Sequence, residues 1–207
     1  MGFIDEGRQF NKQLSREEQA IAKSFEGIPF LSEGQKRDAL LVWRKLKPGS
    51  NFSLEPEISN ADLKKIEDII EKAGLLFKVV EEKKSDEPRK VFFVANNQED
   101  LESLSRLFFG DHLTDPKVYL ELGRIYGFPK TAIEAFDKNS QAEKEGSESE
   151  FLLILDEMEE KIPKNLRRFT DFLLSKANWQ DELKTVRKWA DEINLVDPDF
   201  YKQLSGL

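Results

Sequence analysis

Arg124, Gly127, Lys130 and Thr131 are the residues whose types and spacing best suit chemistry in this chain. They lie in the stretch LELGRIYGFPKTAIEAFD, Leu120 to Asp137, where a glycine stop and a proline restart divide two helical patterns. Pro129 sets φ for the first turn of a helix. That helix presents free backbone N–H groups around Pro129–Ala132, at the positive end of its dipole. With Lys130, the Thr131 hydroxyl and Arg124 nearby, the corner could hold a small anion such as a phosphate or carboxylate. The plainer reading is a helix corner whose amides are capped by water or a neighbouring Glu. A glycine-proline corner is by itself a weak ligand signal.

Carboxylates give a second chemistry. Glu121 stands three residues before Arg124, a spacing that also suits a surface pair. Glu134 and Asp137 stand three apart on the following helix, and acids recur from Asp156 to Glu160. Such groups are the raw material of acid–base or magnesium chemistry. The alternative function is therefore an enzyme of phosphate or carboxylate chemistry using a divalent cation. With 40 acidic residues in the chain, pairs at this spacing also arise by chance. His112, beside Asp111, could be an oriented base. No G-x-S-x-G loop accompanies it, and a solvated loop histidine is the ordinary case.

Much chemistry is excluded. The chain has no cysteine and one histidine, so thiolate nucleophiles, disulfides and multi-histidine metal centres are absent. No P-loop, G-x-G-x-x-G, H-E-x-x-H or EF-hand pattern occurs. No cofactor and no metal are expected. A second alternative is a nucleic-acid-associated factor. It would need Lys164, Arg167 and Arg168 to merge with Arg44, Lys45 and Lys47, against a net charge of −8. Trp43, Trp179 and Trp189 are read as core anchors, with an interface role as the sharper reading.

The elements that must position these residues are mostly helical. Ser15 and Glu18 match a capping box before a helix over 16–25. Residues 38–47 fit either a strand or the end of a helix begun near Ser32; good helix formers at 35–39 favour the helix. Ser59 or Asn60 caps a helix with Leu63, Ile66, Ile69, Ile70 and Ala73 on one face, and Gly74 stops it. Leu75–Glu81 and Lys90–Ala95 read as a hairpin about the turn KKSDEP. Leu101, Leu104, Leu107 and Phe108 mark the next helix, closed by Gly110. Asp115 with Pro116 opens another. Beyond Asp137, residues 138–150 carry no large apolar side chain and read as a flexible loop. A helix is expected from Ser149. Residues 168–175 fit strand or helix, Asn178 caps a helix, and Asp197-Pro198 opens the last.

Leu122-Gly123, Gly127-Phe128-Pro129, Thr131-Ala132 and Phe136 fall in a fixed order. RKVFFVANNQEDLESLSRLF precedes them, and LLSKANWQDELKTVRKWADEINLVDPDFYKQL follows. This layout, over roughly residues 60–204, resembles a family of uncharacterised archaeal and bacterial proteins. That family carries a leucine-glycine, then a glycine-tyrosine-proline-x-cysteine-cysteine motif. The chain looks like a cysteine-free divergent member. Thr131 and Ala132 replace the first cysteine pair, and Ser175 and Trp179 stand at the second. The resemblance implies a shared fold and no shared thiol or metal chemistry.

The expected fold class is α+β, a mostly helical single domain with a small sheet built around the mid-chain hairpin. Four segments are expected: an N-terminal helical segment at 1–58, an α/β core with the hairpin and helix corner at 59–137, a flexible loop at 138–150 and a C-terminal helical segment at 151–207. Neither a basic leader nor a membrane span is visible, so the expected location is cytoplasmic. The expected function is a non-catalytic intracellular binding or interaction module. It would take a protein partner, or a small anionic ligand at Arg124, Gly127, Lys130 and Thr131.

Overall fold

The computed structural model describes residues 13–28, 31–54, 58–82, 89–109, 115–144 and 151–207. Gly110, Asp111, His112, the KKSDEP turn and residues 145–150 lie outside the described residues.

Local signals set most of the helix starts. In α1 (Arg16–Glu26) the Glu18 N–H donates to Ser15 Oγ at 3.1 Å, and the Ser15 N–H donates to Glu18 Oε2 at 2.8 Å. Ser32 and Gln35 repeat this capping box ahead of α2 (Glu33–Trp43), which makes the ambiguous 38–43 stretch helical. The helix stops well before Pro48-Gly49. Lys45 takes φ 59°, and the Leu46 and Lys47 N–H groups both donate to Leu41 O, so the chain folds back on its own last turn. A strand not anticipated from the sequence follows, β1 (Gly49–Leu54). α3 (Asn60–Lys72) begins at Ser59, and Gly74 lies beyond its end with φ 72°.

β2 (Leu76–Glu82) and β3 (Arg89–Ala95) pair antiparallel, as the hairpin reading expects. β1 pairs with the free side of β3, giving an antiparallel sheet in the order β1-β3-β2 with Phe52 opposite Phe92. The run Val91–Ala95 is buried throughout because helices cover both faces of the central strand. Phe92 and Val94 enter the larger core, with side chains from α1, α2, α3, α8 (Trp179–Val196) and α9 (Pro198–Ser205). Val91, Phe93 and Ala95 face α4 (Gln98–Phe108) and α5 (Pro116–Ile125). The described residues form one mostly helical α+β domain around this sheet. Among them, no helix is long and apolar enough to cross a membrane.

Three boundaries differ from the sequence reading. α6 (Lys130–Lys144) runs into the stretch expected as a loop from residue 138. Asn139 is buried there, and Gln141 Nε2 donates to Asp137 Oδ2 at 3.0 Å, so the polar composition hides a packed face. The helix expected from Ser149 starts only at α7 (Leu155–Lys161). Residues 151–154 are instead extended. The Leu153 N–H donates to Leu174 O and the Lys176 N–H to Phe151 O, both at 2.9 Å. Residues 168–175 are neither simple strand nor regular α-helix. A 3-10 turn over Lys164–Phe169 gives way to the extended chain that meets residues 151–153. Asn178 precedes α8 but gives it no side-chain cap. Asp197 does cap α9, its Oδ1 accepting from the Phe200 N–H at 3.0 Å.

Candidate functional site

The break between α5 and α6 has a packing cause. Gly127 sits at φ 74°, where L side chains are strained, and a Cβ there would lie 3.0 Å from Leu46 O and 3.3 Å from Lys47 Cα. The corner thus rests on the backbone that leads from α2 into β1. One turn earlier, a Cβ on Gly123 would lie 2.9 Å from Ile133 Cγ1, so that glycine lets α5 and α6 approach closely.

On the solvent side of the corner, Arg124, Gly127 and Lys130 line one charged cleft of about 720 Å³, together with Glu121, Glu134 and Asp137. Arg124 and Lys130 already have partners. Arg124 Nη2 donates to Asp100 Oδ1 at 2.6 Å and to Glu121 Oε1 at 2.8 Å. The Glu121 bonds, then the one to Asp100, hold the guanidinium pKa above its ordinary value. Lys130 Nζ lies 3.4 Å from Glu134 Oε1 on an almost fully exposed side chain. Thr131 does not line the cleft. Its hydroxyl donates to Glu182 Oε1 at 2.7 Å. Glu182, buried, also accepts from the Ser175 N–H at 2.7 Å and Ser175 Oγ at 2.6 Å. These bonds join α6, the extended 170–175 segment and α8.

The other sequence candidates separate. The acids of α7 do not line the cleft, and Glu157 accepts from the Ile154 N–H at 3.0 Å. Among the described residues, no group of three or more His, Asp or Glu could hold a metal ion. The basic residues do not form one free surface. Lys47 is completely buried, and Arg44 is gripped by Glu18 at 2.7 Å and Glu192 at 2.6 Å. The Ser15 N–H, then Arg44 and the Ser15 hydroxyl, hold the Glu18 pKa down at about 2. Trp189 is buried, whereas Trp43 and Trp179 are half-buried against the core.

A second concavity adjoins the corner, and Phe128 and Ile133 line both. It is an apolar cavity of about 340 Å³ between α5, α6 and the extended 171–173 segment. Five aromatic residues line it: Tyr119, Tyr126, Phe128, Phe136 and Phe172. Tyr119 packs edge-on to Phe136, with centroids 5.3 Å apart, and Phe128 lies 5.7 Å from Tyr126 and 5.3 Å from Phe172. Tyr126 Oη donates to Asn51 Oδ1 at 2.6 Å. Burial, then the Asp38 charge, raises its pKa above the ordinary value.

Asp171 is the one charged residue in that lining, and it belongs to a buried ionic cluster. Its Oδ2 accepts from Lys47 Nζ and, at 3.1 Å, from Arg37 Nη2. Asp38 Oδ1 accepts from Lys47 Nζ at 3.0 Å and from Arg37 Nε at 2.8 Å. Arg37 Nη1 donates to Arg168 O at 2.6 Å. Lys47 Nζ also stands over the Trp189 ring, 4.6 Å from its centroid. Two cations therefore face two carboxylates. Asp171 Oδ1, by contrast, is buried with no hydrogen-bond partner. Burial raises the Asp171 pKa. Lys47 and Arg37 oppose that rise, and Asp38 adds to it.

Asp38, Asp171 and Arg37 were not legible as site residues. The available signal was a lone carboxylate inside the apolar run Phe169-Thr170-Asp171-Phe172-Leu173-Leu174. The pairing that gives it meaning crosses more than a hundred residues, to Lys47 and Arg37. Comparison with family models, with curated proteins and with solved structures finds no match to this chain.

Proposed function

We propose that this chain is a non-catalytic binding module whose ligand is a small molecule held in the apolar cavity beside the α5–α6 corner. One observation carries the reading. Tyr119, Tyr126, Phe128, Phe136 and Phe172 wall the cavity, and Asp171, held by Lys47 and Arg37, is the one charged residue in its lining. An aromatic wall with few convergent polar groups is the usual make-up of a small-molecule site, and the volume of about 340 Å³ suits one. Lys47 is completely buried between two carboxylates, which leaves it poorly placed as a nucleophile or base. The lack of cysteine fits a reducing compartment, and the expected location is the cytoplasm.

The test is a small-fragment screen by backbone amide NMR. Bound fragments are expected to shift Gly123, Ala132, Ile133 and Phe172 together. Fragments that bind only elsewhere, or none that bind, would reject the cavity as the site.

A second reading places a small anion in the charged cleft, because Arg124, Gly127 and Lys130 line it together. Calorimetry with inorganic phosphate checks it. Lys130→Ala should abolish binding at an unchanged Tm, and unchanged binding rejects the site.

A further inference from the structure

The cavity's chemistry narrows its ligand. We propose that it takes a neutral, planar, hydrocarbon-like molecule of about two aromatic rings, held by ring contacts and without a hydrogen bond to the protein. The inference rests on reading the cavity as the binding site.

Three observations set the class. The first is size and wall chemistry. A cavity of about 150 Å³ suffices for a benzene ring. At about 340 Å³ this one has room for roughly two, and five aromatic side chains line it. Aromatic neighbours favour an aromatic guest beyond the apolar area it buries. The second is that the lining's polar groups are already engaged. Asp171 Oδ2 accepts from Lys47 and Arg37, and Asp171 Oδ1 is buried out of a ligand's reach. Tyr126 Oη spends its proton on Asn51 Oδ1. A polar group carried into the cavity would lose its water and gain little in return. The third is charge. Arg37 and Lys47 already balance Asp38 and Asp171, and the lining holds no other charged residue. A cationic or anionic ligand would therefore enter without a counter-ion.

Amide NMR titrations of the whole protein at pH 7 test this, because they give both the affinity and the place of each ligand. The probes are naphthalene, 2-naphthol, 2-naphthoate and 2-naphthyltrimethylammonium. Naphthalene is expected to bind in the cavity, and 2-naphthol no more tightly. Both ions should bind at least about tenfold more weakly than naphthalene. A naphthol that binds there more tightly than naphthalene shows that a lining group, such as the Tyr119 hydroxyl, bonds the ligand. That result overturns the assignment without a hydrogen bond and leaves the cavity reading intact. An ion that binds there within about tenfold of naphthalene overturns the neutral class; for the ammonium, it would mean that the rings attract a cation. Two variants test the ring contacts. Tyr119 and Phe136 are both half-buried and pack edge-on to each other. Tyr119→Leu and Phe136→Leu, made separately, each keep an apolar wall and remove one ring. Each should weaken naphthalene by about two- to tenfold, and if one does not fold the other still decides. Unchanged affinity overturns the aromatic assignment. Failure of all four probes to bind in the cavity overturns the cavity reading itself.

Discussion

Replacing Lys47 by Met tests whether the buried ionic cluster is balanced. Met keeps a Cγ atom beside Gly127 and a side chain of similar length, and it loses the ammonium that stands over the Trp189 ring. It removes only the ammonium. Asp38 and Asp171 would then share Arg37 alone, leaving one carboxylate uncompensated. Breaking a buried pair in this way costs about 3–5 kcal/mol. The carboxylate side chains retain 18% exposure, so water screens part of the residual charge and the low end, about 3 kcal/mol, is expected. Urea unfolding followed by tryptophan fluorescence measures the loss. Asp171→Asn alone leaves one cation uncompensated and should cost a similar amount. The double variant restores one-to-one charge between Arg37 and Asp38. It should therefore be at least about 2 kcal/mol less destabilised than the sum of the singles. pH gives an independent sign. Lys47 holds the Asp171 pKa down against burial, so Lys47→Met raises it further. A carboxyl whose folded pKa is raised favours the fold at low pH and loses that contribution as pH rises through the folded value. The deficit of Lys47→Met should accordingly shrink as pH falls. A loss below about 1 kcal/mol, additive variants or a deficit that grows in acid would refute the account.

Further outcomes follow from the geometry. Gly127→Ala meets both a positive φ and the Leu46 carbonyl, whereas Gly74→Ala meets only a positive φ with open space around it. Gly74→Ala should cost about 1 kcal/mol and Gly127→Ala clearly more in the same urea assay; equal costs would show that the corner does not rest on the Leu46–Lys47 backbone. Glu18, with its pKa lowered to about 2, should stay ionised in the folded protein well below the ordinary carboxylate range. Its contribution to stability is present above the unfolded value of about 4.5 and lost as pH falls towards 2. Carboxyl NMR titration reads this directly, and Arg44→Ala should move the midpoint upward. Thr131→Val removes one of the bonds to buried Glu182 and should cost about 1–2 kcal/mol by thermal unfolding. An unchanged Tm would mean that the hydroxyl is not holding α6 to α8.

Patterns within a few residues were readable from the sequence. Ser15 with Glu18, Ser59, Asp115 with Pro116 and Asp197 with Pro198 each start a helix, because a cap needs only its own first turn. The hairpin of β2 and β3 was readable from its apolar runs, whereas the burial of Val91–Ala95 on both faces was not. The charged cleft was partly readable, since Arg124, Gly127 and Lys130 lie within two turns of one corner. Its electrostatics were not, because Asp100 reaches Arg124 from α4.

What the sequence alone determined is the helical α+β character of the chain, its cysteine-free chemistry and the existence of a sharp corner at Gly127-Pro129. All of these follow from composition or from contacts a few residues long. Only the tertiary structure decided that β1 completes the sheet, that Thr131 turns to Glu182 and away from the cleft, and that Lys47 is an interior cation. It alone set Asp171 against Lys47 and Arg37 and left one oxygen of that carboxylate unpaired beside an aromatic cavity. The physical reason is distance along the chain. A charge's partner, and so its burial and its role, is chosen by whatever the fold packs against it, and no local pattern encodes that choice.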